Sequence, residues 1–347
     1  MNLARRILMT AAGAALLVAP VLAEAQDLPR SIRMVIGSSS TGGDTYQNAS
    51  IFAGGLSEHP GVNVRVDPVG ASEAFKALAR DGRGTTIMLH LDQSYLQELY
   101  GVEGSPDIFE EFIVGPTHPV NPSNACLVPA DSPYQTMGDI LAAAEAGERV
   151  RVAIQPGGVS EIGFSAMKNA ARLRSPGSEE NIVAVDTCDR ADGNRAMWDG
   201  LAGVINGSIQ ANEQFTQLSA DDPTAMRFVR ITAQPEALNQ APEQGMGAMD
   251  RAAMLDYAAP GVSVPMSESE DFTFDKVFFL MFNPETDPSI IDAIDTAMEE
   301  IYAEGEIQQR FLGSFFTPDY RSPEDGQAHL RQKRDNYEGI ISELLSQ

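Results

Sequence analysis

The chain has 347 residues and a formal charge of −25, with 49 acidic side chains against 24 basic ones. A surface this acidic repels phosphate backbones and anionic lipid headgroups, which excludes nucleic acid and membrane surfaces as leading partners. Only Lys76, Lys168, Lys276 and Lys333 are lysines, so arginine carries most of the positive charge. The acid excess reads first as a solvated surface.

At the start of the chain, Arg5 and Arg6 precede an apolar run from Ile7 to Leu22, and Val21-Leu22-Ala23 and Ala23-Glu24-Ala25 offer small-residue cleavage sites. This pattern predicts a signal peptide over residues 1–25 with no lipobox cysteine, hence an exported soluble protein. No later stretch reaches the roughly 18 apolar residues of a spanning helix. What remains exceeds the usual capacity of one hydrophobic core, so two domains are expected.

From Ser31 onward, strand-like and helix-like segments alternate, the pattern of an α/β protein with largely parallel sheets. Strands are expected at 32–36, 62–66, 85–89, 124–128, 150–154, 182–186, 201–206, 228–232 and 276–282, and helices at 45–58, 72–80, 137–146, 160–173 and 194–198. Ile162, Ala166, Met167, Ala170 and Leu173 recur at three- and four-residue steps and make one apolar face. Asp287-Pro288 opens a further helix that Gly305 can end, and Ser322-Pro323-Glu324 opens a last one whose apolar positions include Leu330, Tyr337, Ile340, Ile341 and Leu344. Residues 234–270 have no period and read as an irregular connection with short helices.

Two turns stand out. Gly37-Ser38-Ser39-Ser40-Thr41-Gly42-Gly43-Asp44 joins the first strand to the first helix, an arrangement that offers backbone N–H groups to an anion at a positive dipole end. Gly37 and Gly42 have P-loop spacing, but Gly43 and Asp44 replace the lysine and hydroxyl residue, so nucleotide binding is not expected. Gln155-Pro156-Gly157-Gly158-Val159-Ser160-Glu161 repeats the plan after the strand at 150–154. It lacks the closing glycine of a nucleophile elbow, which leaves Ser160 as a helix N-cap or a ligand hydrogen-bond donor.

Other candidates sit at strand ends. His90, followed by Leu91-Asp92, either faces a cleft or bonds to backbone, and Thr187 and Asn206 end two later strands. Arg190 and Arg195 read as ligand clamps or as lone surface arginines. Of the remaining histidines, His59 and His329 read as solvated, and no pair including His118 has zinc spacing, so no metal and no cofactor are expected. Cys126 and Cys188 are either a disulfide, closing a loop worth about 4 kcal/mol by chain-entropy reasoning, or two free thiols.

Strand, glycine turn and helix occurring twice, without a catalytic set, fit a two-lobe binding protein. Ser40-Thr41-Gly42-Gly43-Asp44, the run from Leu127 to Leu141 with its Ser132-Pro133-Tyr134 turn, Gly157-Gly158-Val159-Ser160, Trp198-Asp199-Gly200-Leu201 and the C-terminal order Asn283-Pro284, Asp287, Glu306 to Phe311 and Ser322 carry a resemblance. On these residues the chain resembles the periplasmic solute-binding component of tripartite tricarboxylate transporters, the Bug or TctC family. It departs from that family at Tyr46, at Gly163, and at Asp186-Thr187-Cys188-Asp189, where the family usually has an aspartate, a histidine and a lysine-glycine turn.

The resemblance implies a type II-like two-lobe periplasmic binding protein of the α/β class, each lobe a mixed sheet flanked by helices, with the ligand cleft between lobes. Residues 26–123 would form the first part of lobe 1, 124–233 lobe 2, and 234–347 the second part of lobe 1. The ligand would be a small organic acid, handed to an integral-membrane permease by a monomeric periplasmic protein that is not an enzyme. Its candidate contacts in lobe 1 are Ser39, Ser40, Thr41, Gly42, Gly43, His90 and Asp92. In lobe 2 they are Gly157, Gly158, Val159, Ser160, Thr187 and Asn206. Because Asp44, Asp92, Asp186 and Asp189 stand at expected cleft edges, a monocarboxylate, dicarboxylate or zwitterion is expected over citrate. The stretch Gly37 to Tyr46 is also similar to the TAXI-type component of TRAP transporters, and an exported hydrolase using Ser160 is a third reading.

Overall fold

The computed structural model describes residues 28–58, 62–122, 124–246, 248–267 and 269–345. The expected signal peptide and His59 lie outside the described residues. In chain order the elements are β1 (Ser31–Ile36), α1 (Asp44–Leu56), β2 (Asn63–Pro68), α2 (Ala71–Ala79), β3 (Thr86–Leu91), α3 (Gln93–Leu99), α4 (Ile108–Glu111), β4 (Ile113–Asn121), β5 (Asn124–Pro129), α5 (Met137–Glu145), β6 (Val150–Ile154) and α6 (Val159–Arg174). They continue with β7 (Ile182–Asp186), α7 (Arg190–Trp198), β8 (Val204–Ser208), α8 (Ile209–Thr216), β9 (Met226–Ile231), α9 (Pro235–Asn239), α10 (Arg251–Asp256), β10 (Lys276–Phe282), α11 (Pro288–Glu304), α12 (Glu306–Gly313) and α13 (Pro323–Leu345).

Two mixed five-stranded sheets repeat one plan, with orders β2-β1-β3-β10-β4 and β7-β6-β8-β5-β9. In each, a central strand pairs in parallel with two neighbours, and an antiparallel pair completes the sheet: β1 between β2 and β3 with β10 and β4 beyond, and β6 between β7 and β8 with β5 and β9 beyond. Helices cover both faces, so central strands read as continuous apolar runs. In β10, Phe278, Leu280 and Phe282 pack with α1, α11 and α12, whereas Val277, Phe279 and Met281 face α2 and α13. The chain crosses between sheets where β4 leads into β5 and again on the way from β9 to β10.

β4 is not among the expected strands, and its Pro116 and Pro119 would count against one. The structure places β4 at the edge of its sheet and puts both prolines at register shifts against β10, bulges where a missing N–H costs no ladder bond. Its outer side is used by the residues just after each proline: Thr117 N–H donates to the Arg321 carbonyl at 3.2 Å and Val120 N–H to the Thr317 carbonyl at 2.8 Å. Strand β8 begins at Val204, later than expected, because left-handed Gly200 (φ 69°) and exposed Leu201 form the preceding turn. Leu173, assigned to the apolar face of α6, is 45% exposed in the last turn of that helix.

Further corrections concern connectivity. The segment assigned to a return into lobe 1 first packs on the second sheet: Leu238, Ala241, Met246, Met254 and Ala258 join Ala125, Leu127, Phe228 and Ile231 in one core cluster. Both cysteines are free, with Cys126 buried in β5 and Cys188 exposed after β7. β8 and β6 separate those strands, and at about 4.8 Å per strand spacing the gap exceeds disulfide reach. Burial pushes the Cys126 thiol up to about 12, against the attraction of Arg230.

Candidate functional site

The first lip follows β1. Its serines fold the turn on itself, with the Ser40 N–H donating to Ser38 Oγ at 3.1 Å and the Gly42 N–H to Ser40 Oγ at 3.2 Å, while Ser39, Ser40, Thr41 and Gly42 stay exposed. Gly43 is the N-cap of α1, and no side chain caps that helix. Such starts are not confined to the lips: α2, α3, α8, α9 and α12 also lack a side-chain cap, whereas Thr136 and Asp139 form a capping box on α5, and Asp250 and Asp287 cap α10 and α11. An uncapped first turn leaves orphan N–H groups and the positive dipole end for an external acceptor.

Beneath this lip lies a polar floor that sequence reasoning missed. Asp44, the first residue of α1, pairs with Lys276 Nζ at 2.5 Å, and Asn121 Nδ2 donates to the same carboxylate at 2.8 Å. Lys276 opens β10 and Asn121 ends β4, so both belong to strands at the crossing between sheets, and Lys276 is buried. Asn121 Nδ2 also lies 3.0 Å from Gln210 Oε1 at the start of α8, which in turn accepts from Ser208 Oγ at 3.2 Å. The first lip is thereby tied to the second lobe. Burial alone would raise the Asp44 carboxyl, but the Lys276 ammonium and its hydrogen bond, Asn121 and the Thr45 N–H together hold it below the usual carboxylate range. The available signal was that Lys276 is one of only four lysines and stands at the head of an apolar strand.

The second lip, after β6, is closed on itself. Ser160 Oγ accepts the Gln155 N–H at 2.8 Å and Glu161 Oε2 accepts the Gly157 N–H at 2.5 Å. Gly158, not Ser160, is the N-cap of α6, and no side chain caps it. Gly157 and Gly158 are buried, and Val159 and Ser160 are half-buried. Gly157 has φ 68°, and a methyl group there would lie 2.6 Å from Val102 Cγ2 and 2.9 Å from Gln97 Cγ, so the lip abuts α3 of the first lobe. Asn206 Nδ2 donates to the Ser160 carbonyl at 3.3 Å, and Thr187 Oγ1 to the Ile154 carbonyl at 2.8 Å, so both brace the lip from neighbouring strands.

Two expected contacts sit deeper than the cleft surface. His90 is 1% exposed, its ring against Gly37 and Phe75, with neither ring nitrogen hydrogen-bonded; burial lowers it to about 4. Neither expected role, facing a cleft or bonding to backbone, is what the structure shows for it. Asp92 is fully buried and saturated by Lys333 Nζ at 2.6 Å, the Tyr95 hydroxyl at 2.5 Å and the Val277 N–H at 2.6 Å. Asp44 and Asp92 are therefore internally neutralised, and only exposed Asp186 and Asp189 remain of the four repelling carboxylates, Asp189 as the cap of α7. Arg195 is exposed and lies 3.6 Å from Asp192. His329, expected to be solvated, is half-buried. Among the described residues no group of three metal-ligating side chains converges, and no helix is long and apolar enough to cross a membrane.

No protein-family profile and no curated protein sequence matches this chain. Solved structures do match. A TctC solute binding protein from Polaromonas, with no ligand, aligns at TM-score 0.58 and 18% identity over 90% of this chain and 98% of that one. MatC from Rhodopseudomonas palustris with bound malate aligns at TM-score 0.63 and 13% identity over 90% of this chain and 100% of that one. Rpa4515 from R. palustris with adipate aligns at TM-score 0.68 and 15% identity, over 91% and 98%. With its two mixed sheets flanked by helices, the chain has the two-lobe fold of the TctC-type periplasmic solute-binding proteins.

Proposed function

We propose that this protein is an extracytoplasmic solute-binding protein that captures a small organic acid between its lips and delivers it, as a monomer, to the permease of a tripartite tricarboxylate-type transporter. The observation that carries the reading is the uncapped, glycine-started N-terminus of α1 above a floor that holds a buried lysine. Neighbours of the same fold were solved with malate and with adipate, which supports a carboxylate as cargo. In this reading Ser39 to Gly43 cradle one carboxylate, and Gly157 to Ser160, braced by Thr187 and Asn206, offer the N-terminus of α6 to the other end of the ligand. His90 and Asp92 support the first lip from below rather than touching cargo.

The Asp44–Lys276 pair adds no net charge, so the two helix dipoles favour a monocarboxylate, a dicarboxylate or a zwitterion over a trianion. Ser160 Oγ is engaged by the Gln155 N–H, which supports a positioning role over a nucleophilic one. Thermal-shift screening against a carboxylate library tests the proposal, because a ligand at 100 times its Kd adds about 2.7 kcal/mol. A mono- or dicarboxylate should raise Tm. If no acid does so and a neutral sugar does, the proposal falls.

A further inference from the structure

A cavity of about 740 Å³ opens on the hinge flank, and no lip residue lines it. It takes Val120 from β4 and Val277 from β10, whereas the first lip follows β1; β3 and β10 stand between β1 and β4 in the sheet. The volume lies within the range of small-molecule sites, about 300–1,000 Å³, and far above that of a bare ion.

The walls are acidic with their cations already used. Lys333 pairs with Asp92 at 2.6 Å and also donates to the Asp275 carbonyl, and Arg321 pairs with Asp319 at 3.0 Å. Asp271 accepts from Ser263 and feels the buried Arg230 guanidinium. Glu236, Glu270 and Asp275, which also line the cavity, make no ion pair among the described residues. His329 is held below its usual range by burial, with Arg321 and Lys333 adding to the effect, so it supplies no competing charge at neutral pH.

Asp275 is the independent sign of a missing partner. Its Oδ1 is buried with no hydrogen bond, and Oδ2 accepts only the Gln234 N–H at 3.5 Å. Burial pushes this carboxyl up to about 7, although Lys333 and that N–H pull the other way. A buried carboxylate without a donor is costly, and an ammonium group supplies both the donor and the charge. Phe272 and Tyr337 also line the cavity, with the Arg230 guanidinium 5.7 Å from the first ring and the Lys333 ammonium 6.0 Å from the second.

We propose that this cavity is a second binding site, for a small organic ammonium ion, with the Asp275 carboxylate as its counter-charge and exposed Glu236 and Glu270 as its acidic rim. The site is separate from the lips and does not rest on the organic-acid reading. Thermal-shift titrations of the full chain with putrescine, spermidine and tetramethylammonium test it, against sodium chloride at matched ionic strength. The expected result is a saturable rise in Tm with at least one of them, weakened about tenfold or more in Asp275→Asn. The double variant Glu236→Gln/Glu270→Gln, altered only at exposed positions, should weaken it too and serves if Asp275→Asn does not fold. No response to any of the three, a response that sodium chloride reproduces, or one left intact by these variants would overturn the proposal.

Discussion

The two lips share one sequence plan, a strand, a pair of glycines and a helix, yet the structure puts them in opposite states. The lip of 37–44 is exposed from Ser39 to Gly42, and its one charged member, half-buried Asp44, is balanced from below by Lys276. The lip of 155–161 is buried at its glycines, satisfies its own N–H groups through Ser160 and Glu161, and abuts α3. One local plan thus gives an open cradle where its support comes from distant strands, and a packed, braced lip where its own side chains supply that support.

The largest test of this contrast is removal of the support under the first lip. Lys276→Met leaves a mostly buried carboxylate alone and should cost about 3–5 kcal/mol in urea unfolding, much of it recovered by adding Asp44→Asn. A loss under about 1 kcal/mol would mean that the pair is solvated and the floor is not structural.

Next comes acid sensitivity. Burial holds His90, under the first lip, at about 4 and His118, against Phe52, at about 3, both below the ordinary 6.5. Between pH 6.5 and 4 the unfolded chain therefore binds two more protons at these sites, while Asp275, raised to about 7, keeps one extra proton in the folded state and works in the opposite direction. These three groups leave about one proton, worth about 1.4 kcal/mol per pH unit. His329, also held low, adds to it, and Glu161 and Asp295, raised by burial, oppose it at the acid end, so stability should fall as pH drops through the upper part of this window. His118→Phe should flatten that limb. Stability that rises as pH drops through that upper part would show that the histidines are not buried neutral.

Smaller effects separate the lips directly. Gly157→Ala forces a methyl group into Val102 and Gln97 at a left-handed backbone position and should cost about 1–3 kcal/mol. Ser160→Ala removes the acceptor of the Gln155 N–H and should cost about 1 kcal/mol. Gly43 has φ −99°, with no atom within 4 Å of an added methyl group. Gly43→Ala should therefore cost under about 1 kcal/mol in unfolding, through the weaker N-cap alone. A Gly43→Ala loss equal to that of Gly157→Ala would erase the distinction between open and packed lips.

Much of this was legible in the sequence because its signals are local. The strands at 150–154, 182–186 and 276–282 and the helices after 136 and 287 stand where periodicity and capping placed them, since apolar spacing and cap residues act within a few positions. β4 was hidden because a proline's meaning depends on whether the strand bulges against its neighbour at that point, which its own residues do not encode. Asp44 and Asp92 read as cleft charges because their lysines are 232 and 241 residues away. Cys126 and Cys188 could be paired or free until the strand order set two strands between them.

By itself the sequence determined the element types and the repeated strand, glycine and helix plan, all set by short-range backbone and side-chain chemistry. Only the tertiary structure decided which lip stays open, which carboxylates are neutralised, and where Asp275 lacks a partner, because each depends on charges and packing surfaces that distant segments bring together.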